Sequence, residues 1–297
     1  FSITGYVPKP ETMQANVEFI LRIPGAPAVM IDHDYALECF EAAKDRCDVR
    51  VGNNRASFSG SEYILYLDEP DLGLDLRIEG LTPGFQLGDE GRAYFDNESS
   101  RYFGWVVPVP RGRVTGTLRT GTKETAVCGL GYHDHNLATI PFAHYLESWF
   151  WGRWQTESFS LIFAQVVPKY GKPPITALAL AGSQRIEYLT FDPASFRISP
   201  TSSITVDPDS GIRHYSAYSI EAEDQGVSVR LGFQDGEIHK QRSPIWEFRF
   251  LLQRLIRWLL PVPGYLRRCT EGQGFINLDG QESKLQGPVI YEYHRLS

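Results

Sequence analysis

The sequence predicts an all-β protein with few helices, and three observations carry that prediction. Twenty-seven glycines and 19 prolines punctuate 297 residues into short segments. Several of those segments alternate apolar and polar residues with a period of two, which is the signature of a half-buried strand. Aromatic residues make up 13% of the chain, and they favour pleated sheet. Many short strands at fairly even spacing indicate a sandwich or a barrel.

The strands follow in order. "SEYILYLDE" (Ser61 to Glu69) is aromatic and β-branched, and "LGLDLRIEGL" (Leu72 to Leu81) and "GRVTGTLRT" (Gly112 to Thr120) alternate cleanly. "SFSLIFAQVV" (Ser158 to Val167) reads as a largely buried strand. "RIEYLTF" (Arg185 to Phe191), "FRISPTSSITV" (Phe196 to Val206), "HYSAYSIEAE" (His214 to Glu223) and "GVSVRLGF" (Gly226 to Phe233) continue the series, and "GPVIYEYHRL" (Gly287 to Leu296) closes it. Helix patterns occur twice, at Asp34 to Ala43 and at Trp246 to Leu260. The second is an apolar stripe broken by charge, which packs on a protein body or lies at an interface. "PKYGKPPIT" (Pro168 to Thr176) holds three prolines after a strong strand, so the expected division is an N-terminal domain of residues 1–170 and a C-terminal domain of residues 171–297. The pair Gly272-Gln-Gly274 has no helix after it and reads as a turn.

Bulk properties exclude some functions. Net charge is −7, from 36 acidic and 29 basic residues, and no dense basic run could neutralise several phosphates, so no nucleic-acid partner is expected. No run of about 18 uncharged apolar residues occurs, so no membrane-spanning helix is expected. G-x-S-x-G, Walker A and Rossmann patterns are absent. The four cysteines (Cys39, Cys47, Cys128, Cys269) form no C-x-x-C pair, although Cys39 and Cys47 could bridge a short loop. Asn97-Glu98-Ser99 is a glycosylation sequon. With an even cysteine count and a first residue other than Met, it leans toward the secretory route, with a cytoplasmic location as the alternative. Oligomeric state is not set by these features.

The stretch Gly129-Leu-Gly-Tyr-His-Asp-His-Asn136 places five proton-handling side chains in a row. If it is extended, His133 and His135 share one face and Tyr132, Asp134 and Asn136 the other. His-x-His can supply two metal ligands, but no spacing elsewhere points to a third. An imidazole oriented by a carboxylate can instead work as an acid or base. Asp and Asn beside glycines also serve as structural anchors to backbone.

These residues belong to a longer series. Pro108-Val-Pro-Arg-Gly-Arg-Val-Thr-Gly-Thr-Leu118, the GYHDHN segment, Trp149-Phe-Trp-Gly-Arg153 and Leu161-Ile-Phe-Ala164 occur in that order. The series resembles the carotenoid 1,2-hydratase (hydroxyneurosporene synthase)-like family, also described as AttH-like, over roughly residues 58 to 167. The resemblance implies two lipocalin-like β-barrel or sandwich domains with a largely apolar pocket. It implies hydratase or cyclase activity, since fungal members include Diels–Alderases and hetero-Diels–Alderases. Leu137 and Ala138 stand where members often carry Trp-Gly, which implies a reshaped pocket.

A cycloaddition needs a shaped, dry cavity and one or two hydrogen bonds to a carbonyl, and no cofactor or metal. Tyr132, His133 and Asp134 are the candidate polarising or protonating groups, and Arg153 the candidate partner for an acidic oxygen, with Arg101 similar. Tyr102, Trp105, Trp149, Trp151 and Trp154 are candidate walls around a hydrophobic small molecule, and Asn136 and Gln155 candidate donors. Ordinary core packing or surface pairing is the competing role for each. The expected activity is therefore a cofactor-independent cyclase. Hydration or dehydration of an isoprenoid double bond is the alternative enzyme reading, and a non-catalytic carrier of a hydrophobic metabolite is the binding-protein reading.

Overall fold

A computed structural model describes residues 2–6, 9–23, 25–26, 28–88, 90–95, 101–139, 142–207, 211–224, 226–242 and 264–296. The sequon residue Asn97 and the predicted helix Trp246 to Leu260 lie outside them. The described residues are almost entirely strand, in curled half-barrel sheets, and the fold is all-β and lipocalin-like. The chain forms two compact units, one of residues 1–85 and 107–134 and the other of residues 86–106 and 135–297.

The first unit opens with β1 (Ser2–Tyr6), β2 (Lys9–Leu21) and β3 (Val29–Ala36), an antiparallel sheet in that order. A 3-10 turn at Leu37–Cys39 and a short strand, β4 (Phe40–Ala42), stand where the sequence predicts a helix. Local helical spacing loses here because the backbone finds partners on the next strand, β5 (Asp48–Val51). Gly52 N–H donates to Cys39 C=O at 3.0 Å and Ala43 N–H to Asp48 C=O at 2.9 Å. Cys39 and Cys47 fall at opposite ends of the β4–β5 hairpin, and both are free thiols, as are Cys128 and Cys269. A meander continues through β6 (Asn54–Ser59), β7 (Glu62–Glu69) and β8 (Leu72–Gly80). β9 (Phe85–Gln86) and β10 (Arg92–Tyr94) follow, with Gln86 and all of β10 counted in the second unit, and then come two long strands whose residues divide between the units, β11 (Tyr102–Thr120) and β12 (Lys123–Ala138). β11 pairs with β8 from Gly112 opposite Gly80 to Thr120 opposite Leu72. Ala15, Val17, Ile31, Val51, Leu67, Leu72 and Leu74 form this unit's buried core.

The second unit is built from β13 (Leu146–Gln155), β14 (Ser160–Pro168), β15 (Ile175–Ala181), β16 (Ile186–Thr190), β17 (Phe196–Pro200), β18 (Ile204–Val206), β19 (Arg213–Tyr215), β20 (Ala217–Asp224), β21 (Val227–Gln234), β22 (Glu237–Arg242), β23 (Gly264–Leu278) and β24 (Gln281–Arg295). Its main sheet runs β16-β15-β14-β13-β24-β23-β21-β20-β17. The expected boundary at residue 170 falls between β14 and β15. The proline-rich stretch is a hairpin connection, and β14 before it pairs with β15 after it, from Ser160 opposite Ala181 to Val166 opposite Ile175. The Gly272-Gln-Gly274 turn is corrected, because both glycines lie inside β23, where Gly274 lets the Arg230 carbonyl approach.

Alternation in β13 sets the two faces of this sheet. Phe150, Gly152 and Trp154 are buried inward, while Trp149, Trp151 and Arg153 are half-buried on the other face. The inward residues join an aromatic core with Phe163, Tyr218, Phe233 and Tyr291. A Cβ on Gly152 would sit 2.4 Å from the Phe163 ring, which is fully buried and stacked on Phe150 and Phe233. Gly152→Ala is therefore expected to cost about 1–3 kcal/mol by overpacking, read as a lower urea midpoint. Gly129→Ala, with no atom within 4 Å of the added methyl, is the control expected to change stability by no more than about 0.5 kcal/mol.

Candidate functional site

GYHDHN is extended, as its alternation requires, and lies near the end of β12. Tyr132, His133 and Asp134 are half-buried, and His135 and Asn136 are exposed. The His133 ring meets Tyr63 edge-on at 4.6 Å, and Tyr63 in turn packs on Phe58 at 4.8 Å. Among the described residues no group of three or more His, Cys, Asp or Glu side chains could hold a metal ion.

The sequence-predicted residues divide between the units. Tyr132, His133 and Asp134 belong to the first, and Tyr102, Trp105, Asn136, Trp149, Trp151, Arg153, Trp154 and Gln155 to the second. Trp154 is fully buried in the aromatic core. Trp105 is also buried, and its backbone bonds Leu87 and Gly91. Tyr102 packs edge-on to Tyr94 with the Arg92 guanidinium 4.5 Å from its ring. Gln155 donates to Ser160 Oγ at 2.9 Å.

Trp149 and Trp151 open onto a different set of neighbours. The antiparallel register places Trp149 opposite His294 and His294 opposite Tyr265. The next row on the same face is Trp151, Glu292 and Arg267, and the next holds Arg153, Ile290 and Cys269. The Trp149 indole meets the His294 ring edge-on at 4.9 Å and Phe142 edge-on at 5.1 Å, while Phe142 touches Phe103. Tyr265 closes on His294 from the other side at 5.5 Å. The imidazole is thus held between an indole and a phenol. Its Nδ1 is buried without a hydrogen-bond partner.

Burial pushes the His294 imidazole down to about 4, so it is neutral at neutral pH. Beside it, Arg267 donates to Glu292 through Nε at 2.7 Å and approaches the same oxygen through Nη2 at 2.6 Å. Burial alone would lower Arg267, but the Glu292 charge and Tyr265 outweigh it and raise it. Burial, with the Glu292 carboxylate nearby, raises the Tyr265 phenol and keeps it protonated. The row therefore offers one neutral imidazole, one phenol and a compensated ion pair among aromatic rings.

A second polar cluster ties this unit together from within. Tyr291 donates to Asp235 Oδ1 at 2.8 Å, and His214 Nε2 lies 3.2 Å from Asp235 Oδ2. Arg268 Nη2 lies 3.1 Å from His214 Nε2, while Nη1 donates to Gly236 C=O at 3.3 Å. Burial alone would raise Asp235, but the bonds from His214 and Tyr291 and the Arg268 charge leave it lowered. Asp235 borders a cavity of about 580 Å³ with Thr201, Ser219, Gln234 and Gln273.

Neither cluster was found by sequence reasoning. Period-two alternation in "YEYHRL" does put Glu292 and His294 on one face and Tyr291 and Tyr293 on the other. The partners come from strands far away in sequence, and no local pattern names them.

Curled antiparallel sheets with an aromatic face of this kind define a protein of the lipocalin-like class. Within that class, the chain belongs to the Svf1 family, whose model matches residues 28–232. It is 30% identical over 123 residues to the ceramide-binding protein svf1 of Emericella nidulans, a match covering 39% of this chain and 31% of that protein. It is 35% identical over 65 residues to the hydroxyneurosporene dehydrogenase of Chlorobaculum tepidum, covering 20% and 17%. The matches thus span about a third or less of each relative's length. Among solved structures, CghA with Sch210972 superposes with a TM-score of 0.64 at 13% identity, over 97% of this chain and 81% of that one. An AttH protein of Nitrosomonas europaea gives 0.64 at 12%, over 95% and 82%. Kievitone hydratase of Nectria haematococca gives 0.61 at 9%, over 95% and 83%. At these identities the superpositions show the fold, and the resemblance read from the motifs stands.

His294 links this site to stability. Its folded pKa of about 4 lies below the ordinary imidazole value of 6.5, so the unfolded chain takes up the proton first. The stabilisation is full above pH 6.5 and is lost as pH falls through that range toward 4. His294→Phe is expected to flatten the fall in melting temperature between pH 6.5 and 4 relative to wild type, measured by circular dichroism at matched ionic strength. Parallel curves for the two proteins would show that His294 is not held neutral.

Proposed function

We propose that the protein binds a hydrophobic small molecule against the Trp149, Trp151 and Tyr265 face of the second unit and cyclises it without a cofactor, by a [4+2] or hetero-[4+2] addition. The observation that carries this reading is the His294 Nδ1, a buried polar atom without a partner between aromatic rings. A buried unpaired group is costly, and a bound ligand can complete it. A neutral imidazole can donate one hydrogen bond to a carbonyl or accept one from a hydroxyl without bringing a charge into an apolar site. The rings exclude water and hold a flexible polyene near its reactive fold. Arg153, on the same face, is proposed to meet an acidic oxygen, and Tyr102, Trp105, Asn136 and Gln155 to contribute to binding in that unit. Tyr132, His133 and Asp134 are proposed as proton-handling groups of the first unit. Hydration of an isoprenoid double bond is the alternative chemistry, supported by the shared fold with kievitone hydratase.

A second reading is a carrier. The svf1 relative is described as ceramide-binding, which supports a lipid-like ligand without turnover.

The test uses purified protein with linear polyenes bearing a carbonyl, following loss of polyene absorbance and fluorescence quenching of tryptophan. Trp149→Ala is expected to weaken binding about ten-fold, the size of a lost aromatic wall contact. His294→Phe is expected to bind normally and to turn over at least about ten-fold more slowly, as for loss of one transition-state hydrogen bond. Turnover is expected to be unchanged by a chelator. Normal turnover by His294→Phe removes the proposed role of the imidazole. Tight binding with no product from wild type favours the carrier.

A further inference from the structure

The cavity beside Asp235 takes no part in the chemistry proposed for the aromatic face. Its volume of about 580 Å³ falls within the roughly 300–1,000 Å³ of small-molecule sites. Three neighbouring strands, β20, β21 and β23, build it. Their register sets Ser219 opposite Gly232 and Gly232 opposite Gln273, with Gln234 opposite Ala217 in the next row. Leu231 and Phe233 point into the aromatic core, so alternation puts Gly232 and Gln234 on the other face of the sheet. A Cβ on Gly232 would meet nothing nearer than the Gln273 carbonyl at 3.9 Å. The glycine therefore leaves open floor between polar side chains.

Asp235 is a fixed acceptor at the edge of this space. Its Oδ1 accepts from Tyr291 at 2.8 Å, and its N–H donates to Ser216 C=O at 2.6 Å. Its side chain is 27% exposed, and a carboxylate has about four acceptor sites, so it can accept from the cavity as well. Arg268 lies between Asp235 at 3.6 Å and Asp207 at 3.8 Å with its own side chain 8% exposed, so that cation is spent inside the unit. Glu271 lines the cavity as a second carboxylate. Gln234 and Gln273 can each donate and accept, as can the hydroxyls of Thr201 and Ser219. Among the described residues, the side chains of Thr201, Ser219, Gln234, Glu271 and Gln273 make no hydrogen bond to one another or to a neighbour.

These groups select by chemistry. Among the described residues no lysine or arginine lines the cavity, so an anionic ligand finds no charge partner there. A hydrocarbon would take water from several polar groups and return no hydrogen bond. An ammonium ion gains little from Asp235, whose charge Arg268 already opposes. Vicinal hydroxyls suit all of them, since they donate to carboxylates and both donate to and accept from amides. We propose that this cavity binds a neutral saccharide, with its hydroxyls donating to Asp235 and Glu271 and its ring lying over Gly232 between Gln234 and Gln273. None of these residues belongs to the aromatic face, so either site stands if the other fails.

The experiment is saturation-transfer NMR on the purified full chain with glucose, galactose, mannose, maltose, cellobiose and lactose as probes. At least one is expected to give a saturable signal with a Kd of about 1 mM or tighter. The per-O-methyl ether of that sugar keeps its acceptors and loses its donors, and is expected to bind at least about ten-fold more weakly. Gly232→Val fills the open floor and is expected to weaken the sugar at least about ten-fold with an unchanged melting temperature by circular dichroism. Gln273→Ala, at an exposed position, is expected to weaken it in the same way if the valine variant does not fold. No signal from any of the six sugars, equal binding of the ether, or undiminished binding by the folded variants overturns the proposal. So does displacement of the sugar by putrescine at lower concentration than the sugar itself requires, which makes this a cation site.

Discussion

Pairing between β13 and β24 is the constraint on which the second unit depends. The two strands are separated by more than a hundred residues, yet Ser148 to Trp154 meet Val289 to Arg295 without interruption. Because side chains alternate, a slip of one residue would exchange the faces of a strand. Phe150, Gly152 and Trp154 would leave the core, and Trp149 would lose His294. The aromatic interior and the imidazole row outside it are two products of one register. The non-local closure also carries a loop-closure entropy cost, and contacts of this sequence separation slow folding.

Three largely buried carboxylates among the described residues are each answered by several donors. Glu69 takes Tyr35, Asn54 and His33, Asp235 takes Tyr291 with His214 and Arg268 nearby, and Glu292 takes two nitrogens of Arg267. Each carboxylate joins strands that are distant in sequence, so each network also fixes how those strands meet. His294 differs from these carboxylates, since its ring is packed but its Nδ1 is among the buried polar atoms without a partner. That contrast is why the aromatic face, rather than the better-satisfied Asp235 cluster, is the centre of the proposed activity.

Much of the fold was legible because strands announce themselves locally. The alternation in Leu72 to Leu81 and Gly112 to Thr120 became β8 and the paired part of β11, and the run from Gly287 became the end of β24. The apolar run around Ile162 became β14, buried on both faces as its composition required. The rest was decided by partners outside the local window. The prolines after Pro168 resemble a linker, but β15 pairs back onto β14. Asp34 to Ala43 has helical spacing, but its backbone pairs with β2 and β5. The tryptophans of β13 drew notice as a group, and only their alternation separates Trp154 in the core from Trp149 on the site face. His294, Arg267 and Glu292 stayed silent because three strands had to be aligned before they met.

On the main path of the second sheet the end strands are β16 and β17, neighbours in the chain joined through Asp192, while β22 pairs with β23 off that path. Asp192 caps the link, with Oδ1 accepting from Ala194 N–H at 2.9 Å and its carbonyl from Ser195 N–H at 3.1 Å. Both margins are only five residues long, and β17 ends in proline. A margin of that length offers an incoming strand few free peptide groups, and proline withholds one of them. A chain so rich in strand would otherwise be a template for fibrillar growth, and its curled sheet ends where such growth would have the least to hold.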